Sequence, residues 1–114
     1  MTEKHTILRV DTIIKFIDTA INDVGTKTKE EFAKSDLLVR GTCFCIVQIG
    51  EQMTNLEKEL SEDYPNVPWA KAKMMRNLIV HVYNKVKSEP IYWTVKNDLP
   101  LLRQSFVEIR NNLI

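Results

Sequence analysis

The chain has 114 residues, 44% of them hydrophobic and 27% charged, with 16 Lys and Arg against 15 Asp and Glu for a net charge of +1. That length predicts a single domain over residues 1–114 with room for one core, and the charge balance excludes a protein that coats nucleic acid by bulk electrostatics. No apolar run approaches a bilayer's thickness and the opening Met-Thr-Glu-Lys-His-Thr has no secretory pattern, so the expectation is a cytoplasmic protein without a membrane segment.

Ile7, Val10, Ile13, Ile14, Ile17 and Ile21 recur at three- and four-residue spacing and predict an amphipathic helix that stops near Gly25. Residues 26–34 read as a short turn-like segment. Ser35 or Asp36 can cap a long second helix, since a side-chain oxygen there satisfies free amides, and its apolar positions continue through Leu38, Val39, Phe44, Ile46, Val47, Ile49, Met53, Leu56 and Leu60. This helix is expected to end before Tyr64-Pro65. Cys43 and Cys45 lie about 200° apart around it, which makes them packing thiols in place of a disulfide or metal pair. The Pro65-Asn66-Val67-Pro68 link breaks the helix, and Pro68 suits the first turn of a third helix running to about Lys87. Ser88-Glu89-Pro90 reads as another break. A last helical region, 91–112, should kink or restart at Pro100 with Asp98 as its cap. No strand alternation, repeat or low-complexity tract appears, so the predicted fold is an all-α up-and-down bundle of four to five helices.

The third predicted helix carries the chemistry, in the run Met75-Arg76-Asn77-Leu78-Ile79-Val80-His81-Val82-Tyr83. With Arg76 at zero and about 100° per residue, Tyr83, Lys87, Val80, Lys73, Asn84, Asn77 and His81 occupy one sector, with His81 at its edge near 140°. Met74, Leu78, Val82, Met75, Val86, Ile79 and Ala72 fill the other half, which is expected to be buried. The segment 69–88 holds Lys71, Lys73, Arg76, Lys85 and Lys87 and no acid, while 51–63 holds Glu51, Glu57, Glu59, Glu62 and Asp63 against Lys58 alone. One basic helix in a neutral chain suits a localised anion site, although a solvated face explains most such clusters. Glu51 could face this helix and pair with Arg76. Trp69 and Trp93, both at helical starts, read as packing residues before base-stacking platforms. The two histidines are far apart in sequence and no ligand spacing occurs, so no metal or other cofactor is expected. His5 falls in a terminus expected to be mobile and is given no role.

Arg76-Asn77, four residues, His81 and then Tyr83 resemble the HEPN superfamily, and the R-x4-H-x-Y form resembles its HepT branch of ribonuclease toxins. Pro68-Trp69 ahead of the arginine, Met75-Arg76-Asn77, Ile49-Gly50-Glu51 on the second helix, and Trp93, Val95 and Asp98-Leu99-Pro100 extend the likeness over nearly the whole chain. The resemblance implies a HEPN-like bundle forming a two-fold homodimer, and a metal-independent endoribonuclease toxin of a type VII-like toxin-antitoxin system acting on RNA. It assigns catalysis to Arg76 and His81 and gives Asn77 the orienting of the histidine or a substrate oxygen. Tyr83 becomes the site where a cognate MntA-like nucleotidyltransferase antitoxin attaches AMP. The chemistry agrees with those residue types. When the ribose 2′-hydroxyl is the nucleophile, the protein must move two protons and hold charge on a phosphate; an imidazole suits either proton and a guanidinium binds phosphate two-pronged. One histidine cannot readily serve as both acid and base at once, and two copies in one cleft remove that difficulty. The alternative is a non-catalytic HEPN accessory subunit that binds nucleotide or docks a nucleotidyltransferase, and a purely structural helical dimer is a third reading.

Overall fold

A computed structural model describes residues 3–82 and 87–113, and all its regular structure is helical. Helix α1 (Glu3–Val24) places Val10, Ile13, Ile17, Ala20 and Val24 on one fully buried stripe, as the three- and four-residue spacing requires. It ends at Gly25, whose φ of 53° lies in the left-handed region that glycine enters without Cβ strain, and whose N–H closes on the Ile21 carbonyl. His5 is exposed in the first turns of α1, so that part of the terminus is helical, contrary to the expected loose tail.

The expected turn over 26–34 contains a helix. Short α2 (Lys29–Lys34) opens with a capping box: the Thr28 hydroxyl accepts from the Glu31 N–H at 3.1 Å, and a Glu31 carboxylate oxygen accepts from the Thr28 N–H at 2.9 Å. Phe32 is its buried anchor and lies 5.7 Å from the Tyr92 ring. Ser35 then caps α3 (Asp36–Leu60) through its hydroxyl, which accepts from the Leu38 N–H. Cys43 and Cys45 are both free and buried in α3, and loss of hydration pushes both thiols above their ordinary range. Helix α4 (Trp69–Val82) follows the proline link. Trp69 is buried at its start, donates from Nε1 to the Tyr64 carbonyl at 3.0 Å and meets Phe106 edge-on, which makes it a packing residue as expected.

The C-terminal region differs from expectation in two ways. Pro90 does not break the chain; it sits in the first turn of α5 (Ser88–Trp93), where a missing N–H removes no helical bond. That helix passes through a π-helical turn (Thr94–Asp98) directly into α6 (Leu99–Asn112), so Pro100 is accommodated at a restart. Asp98 stands at the cap position but makes no capping bond, because its carboxylate is 3.2 Å from the Lys71 ammonium of α4. Trp93 is half-exposed, stacked edge-on against buried Tyr92.

Helix α1 packs on α3 and α6, and α4 packs chiefly on α3. The spatial order α4, α3, α1, α6 puts the motif helix at one edge of an all-α bundle, with the core between α1, α3 and α6. Two ion pairs tie α1 to α6, Asp11 with Arg110 at 2.8 Å and Asp18 with Arg103 at 2.5 Å. No helix among the described residues is long and apolar enough to cross a membrane.

Candidate active site

Helix α4 turns a different face to the core than its apolar half suggests. Ile79 is buried, Ala72 and Met75 pack partly against the core, and Arg76 lies on that same side, toward α3. Met74 is 70% exposed, Leu78 51% and Val80 52%. The expectation that Met74 and Leu78 belong to the buried half is therefore wrong. Both apolar flanks suit burial, but only the one centred on Ile79 and Ala72 has an intrachain partner.

Arg76 is the best-anchored of the described motif side chains. Its Nε donates to Glu51 Oε1 at 2.6 Å, its Nη2 lies 2.5 Å from the same oxygen, and its Nη1 donates to Asn77 Oδ1. The pair is partly open, with the Arg76 side chain 30% exposed and that of Glu51 39%, so solvent and ligands retain access. The close approach of α3 and α4 depends on Gly50. A Cβ there would fall 2.6 Å from the Arg76 Cβ and 3.1 Å from the Ala72 carbonyl oxygen, a space that admits a hydrogen and not a methyl.

His81 is exposed, one turn beyond Asn77 on the outward flank. Arg76 and His81 are thus not in contact within one chain; about 140° of helix rotation separates them, and Asn77 lies between, its amide oxygen turned to the arginine. The outward flank combines Met74, Asn77, Leu78 and His81, two apolar residues beside two with hydrogen-bonding capacity. Tyr83, Asn84, Lys85 and Val86 fall outside the described residues, so the expected modification site has no structural account. Among the described residues no cluster of three His, Cys, Asp or Glu could hold a metal ion.

A separate cleft of about 330 Å³ opens between α3, α4 and the start of α6, lined by Ile46, Ile49, Met75, Leu99 and Leu102, with the Lys71–Asp98 pair also at its wall. Its lining is mostly apolar, and its two charged side chains are paired with each other. The anchor Glu51 was readable in advance from its place after Gly50 on the second helix. The Lys71–Asp98 pair was not, since no local pattern announces a partner 27 positions away.

Fold and motif together define the class, an all-α HEPN-like bundle that carries an Arg-x4-His pair on a basic edge helix. The chain belongs to the ribonuclease HepT-like family, whose model matches residues 11–109. Among similar proteins, a candidate RNase of Methanocaldococcus jannaschii is 27% identical over 89% of this chain and 87% of its own length. A candidate ribonuclease HepT of Thermococcus cleftensis is 29% identical over 82% of this chain and 89% of its own. A candidate RNase of Caldanaerobacter subterraneus subsp. tengcongensis is 34% identical over 70% of this chain and 71% of its own. No solved structure matches the chain.

Proposed function

We propose that the protein is a metal-independent endoribonuclease in which Arg76 binds the scissile phosphate and His81 moves the protons. The carrying observation is the anchored, partly open Arg76 on a helix that displays His81 on its outward flank, in a chain of the ribonuclease HepT-like family. The ribose 2′-oxygen attacks phosphorus as its proton passes to a base. The bond from phosphorus to the 5′-oxygen breaks as that oxygen takes a proton, leaving a 2′,3′-cyclic phosphate and a 5′-hydroxyl. An imidazole serves either transfer, and two imidazoles serve both.

A second copy supplies the second imidazole in this reading. Exposed Met74 and Leu78 beside His81 form a face that a two-fold axis would bury against itself, bringing both histidines to one cleft. The functional unit is then a homodimer of HEPN-like domains spanning 1–114, acting on RNA in the cytoplasm as the toxin of a type VII-like system. A cognate MntA-like nucleotidyltransferase antitoxin silences it by AMP transfer to Tyr83, adding negative charge beside the cleft. Asn77, whose amide oxygen accepts from Arg76, orients the histidine or a substrate oxygen.

The accessory-subunit reading draws on one specific observation: Glu51 and Asn77 already hold Arg76, as they would in a scaffold that binds nucleotide without cutting it. Incubating labelled RNA with purified protein in EDTA separates the two. Cyclic-phosphate ends that disappear in Arg76→Ala and His81→Ala support the nuclease, with an expected loss of about 10²- to 10⁴-fold for His81→Ala. RNA left intact by a folded dimer with unmodified Tyr83 would transfer the assignment to the accessory role.

A further inference from the structure

Arg76 arrives at the proposed site with one edge already occupied. Its Nε and Nη2 converge on a single Glu51 oxygen, which is side-on engagement, while Nη1 donates to Asn77. A guanidinium is a rigid planar fork with five N–H donors. These contacts engage one N–H on each nitrogen and leave one on each terminal nitrogen, Nη1 and Nη2, for an anion. The acid responsible comes from a different helix, and its distance is set by the residue before it. Gly50 brings α3 so near α4 that the Arg76 Cβ would lie 2.6 Å from any Cβ at position 50. One turn of α3 therefore supplies both the gap and the anchor.

We propose that Glu51 is a positioning residue for cleavage, with Gly50 setting its reach: it holds the Arg76 guanidinium so that the two remaining N–H groups face the RNA phosphate. The proposal rests on the ribonuclease reading. A free arginine side chain must lose its rotamer freedom when the phosphate binds, whereas one already held by Glu51 and Asn77 has lost it before substrate arrives. A carboxylate beside the guanidinium also offsets its charge, so it weakens simple attraction for RNA. The gain therefore lies in orientation at the transition state, and the effect belongs in kcat more than in KM.

The test is steady-state cleavage of an RNA oligonucleotide by wild type, Glu51→Ala, Glu51→Gln, Arg76→Ala and the Arg76→Ala/Glu51→Ala double variant. Glu51→Ala is expected to lower kcat by about 10- to 100-fold with little change in KM. Glu51→Gln, which keeps an acceptor oxygen for the Nε–H, should recover most of that loss. In the Arg76→Ala background, removing Glu51 should cost nothing further, because Glu51 acts through Arg76. Unchanged or raised kcat in Glu51→Ala, or a loss that adds in full to that of Arg76→Ala, would overturn the proposal. The Nε–H resonance of Arg76 in ¹⁵N-labelled wild type gives a second readout that needs neither activity nor a folded alanine variant. It should exchange slowly with solvent and shift in Glu51→Gln; exchange as fast as that of a fully exposed arginine would contradict the anchor. Wild type that cuts no RNA yet shows a slow Nε–H would defeat the ribonuclease reading while leaving the anchor in place.

Discussion

Helices α1 and α4 have similar apolar spacing and opposite fates. Along α1, Val10, Ile13, Ile17, Ala20 and Val24 are all excluded from water, and its acids at Asp11 and Asp18 are matched by arginines of α6. Along α4, only the Ile79 side finds a partner, while Met74, Leu78 and Val80 face solvent and the half-buried position goes to a charged arginine. Burial of an apolar side chain gains about 1.5–3 kcal/mol. Exposed apolar side chains also occur at Leu8 of α1, Leu37 and Phe44 of α3 and Leu101 of α6, but on α4 three fall within 14 residues and leave that contribution unclaimed within one chain. The core stripe of α1 is finished within one molecule, whereas the outward flank of α4 meets solvent among the described residues.

Substitutions should separate the two regions in a graded way. The largest effect belongs to the finished side: Phe106→Ala removes a fully buried ring that meets Trp69, and should cost about 3–5 kcal/mol in urea unfolding. A loss below 1 kcal/mol would mean that the core is looser than its packing implies. Next comes Gly50→Ala, where the new methyl must push α3 from α4, expected at about 1–3 kcal/mol. Stability equal to wild type there would show that the α3–α4 seam is not tight.

Thr28→Ala removes the cap of α2 and should cost about 1 kcal/mol at neutral pH. The Thr28 backbone and hydroxyl hold the Glu31 carboxyl below its usual range, so that group favours the folded state above the ordinary carboxylate range. Its contribution is lost as pH falls through the lowered value, and the unfolding midpoint of wild type should fall accordingly in acid; a midpoint unmoved between pH 7 and about 3 would contradict it. The smallest effect on a single copy is reserved for the unfinished side. Leu78→Asp should change the stability of dilute monomer by no more than about 0.5 kcal/mol, since the side chain already meets water. A large loss in that variant would erase the contrast between α1 and α4.

The sequence was most legible where one local rule sufficed. The apolar spacing of α1, the Ser35 cap and the proline link were readable because each depends on residues a few positions apart. The capping box of α2 is also present as Thr28-Lys29-Glu30-Glu31, but six charge-rich residues carry little periodicity of their own. The face of α4 could not be read from its wheel, because Met74 and Leu78 are as apolar as Ile79 and only the position of α3 decides between them. Asp98 looked like a cap and is instead held by Lys71 across the bundle. The π-helical turn had no local signature. At the site, the Arg76–Glu51 pair and the roughly 140° between Arg76 and His81 are both legible in the sequence, whereas which of the two residues faces α3 is settled only by the packing.

The claim that α4 is completed by a second copy is tested most directly by measuring mass by sedimentation and RNA cleavage in the same samples of wild type and Leu78→Asp. Wild type should be a dimer whose specific activity falls on dilution as it dissociates, and Leu78→Asp should be a folded monomer that does not cut. A monomeric Leu78→Asp that cleaves at the wild-type rate would contradict it.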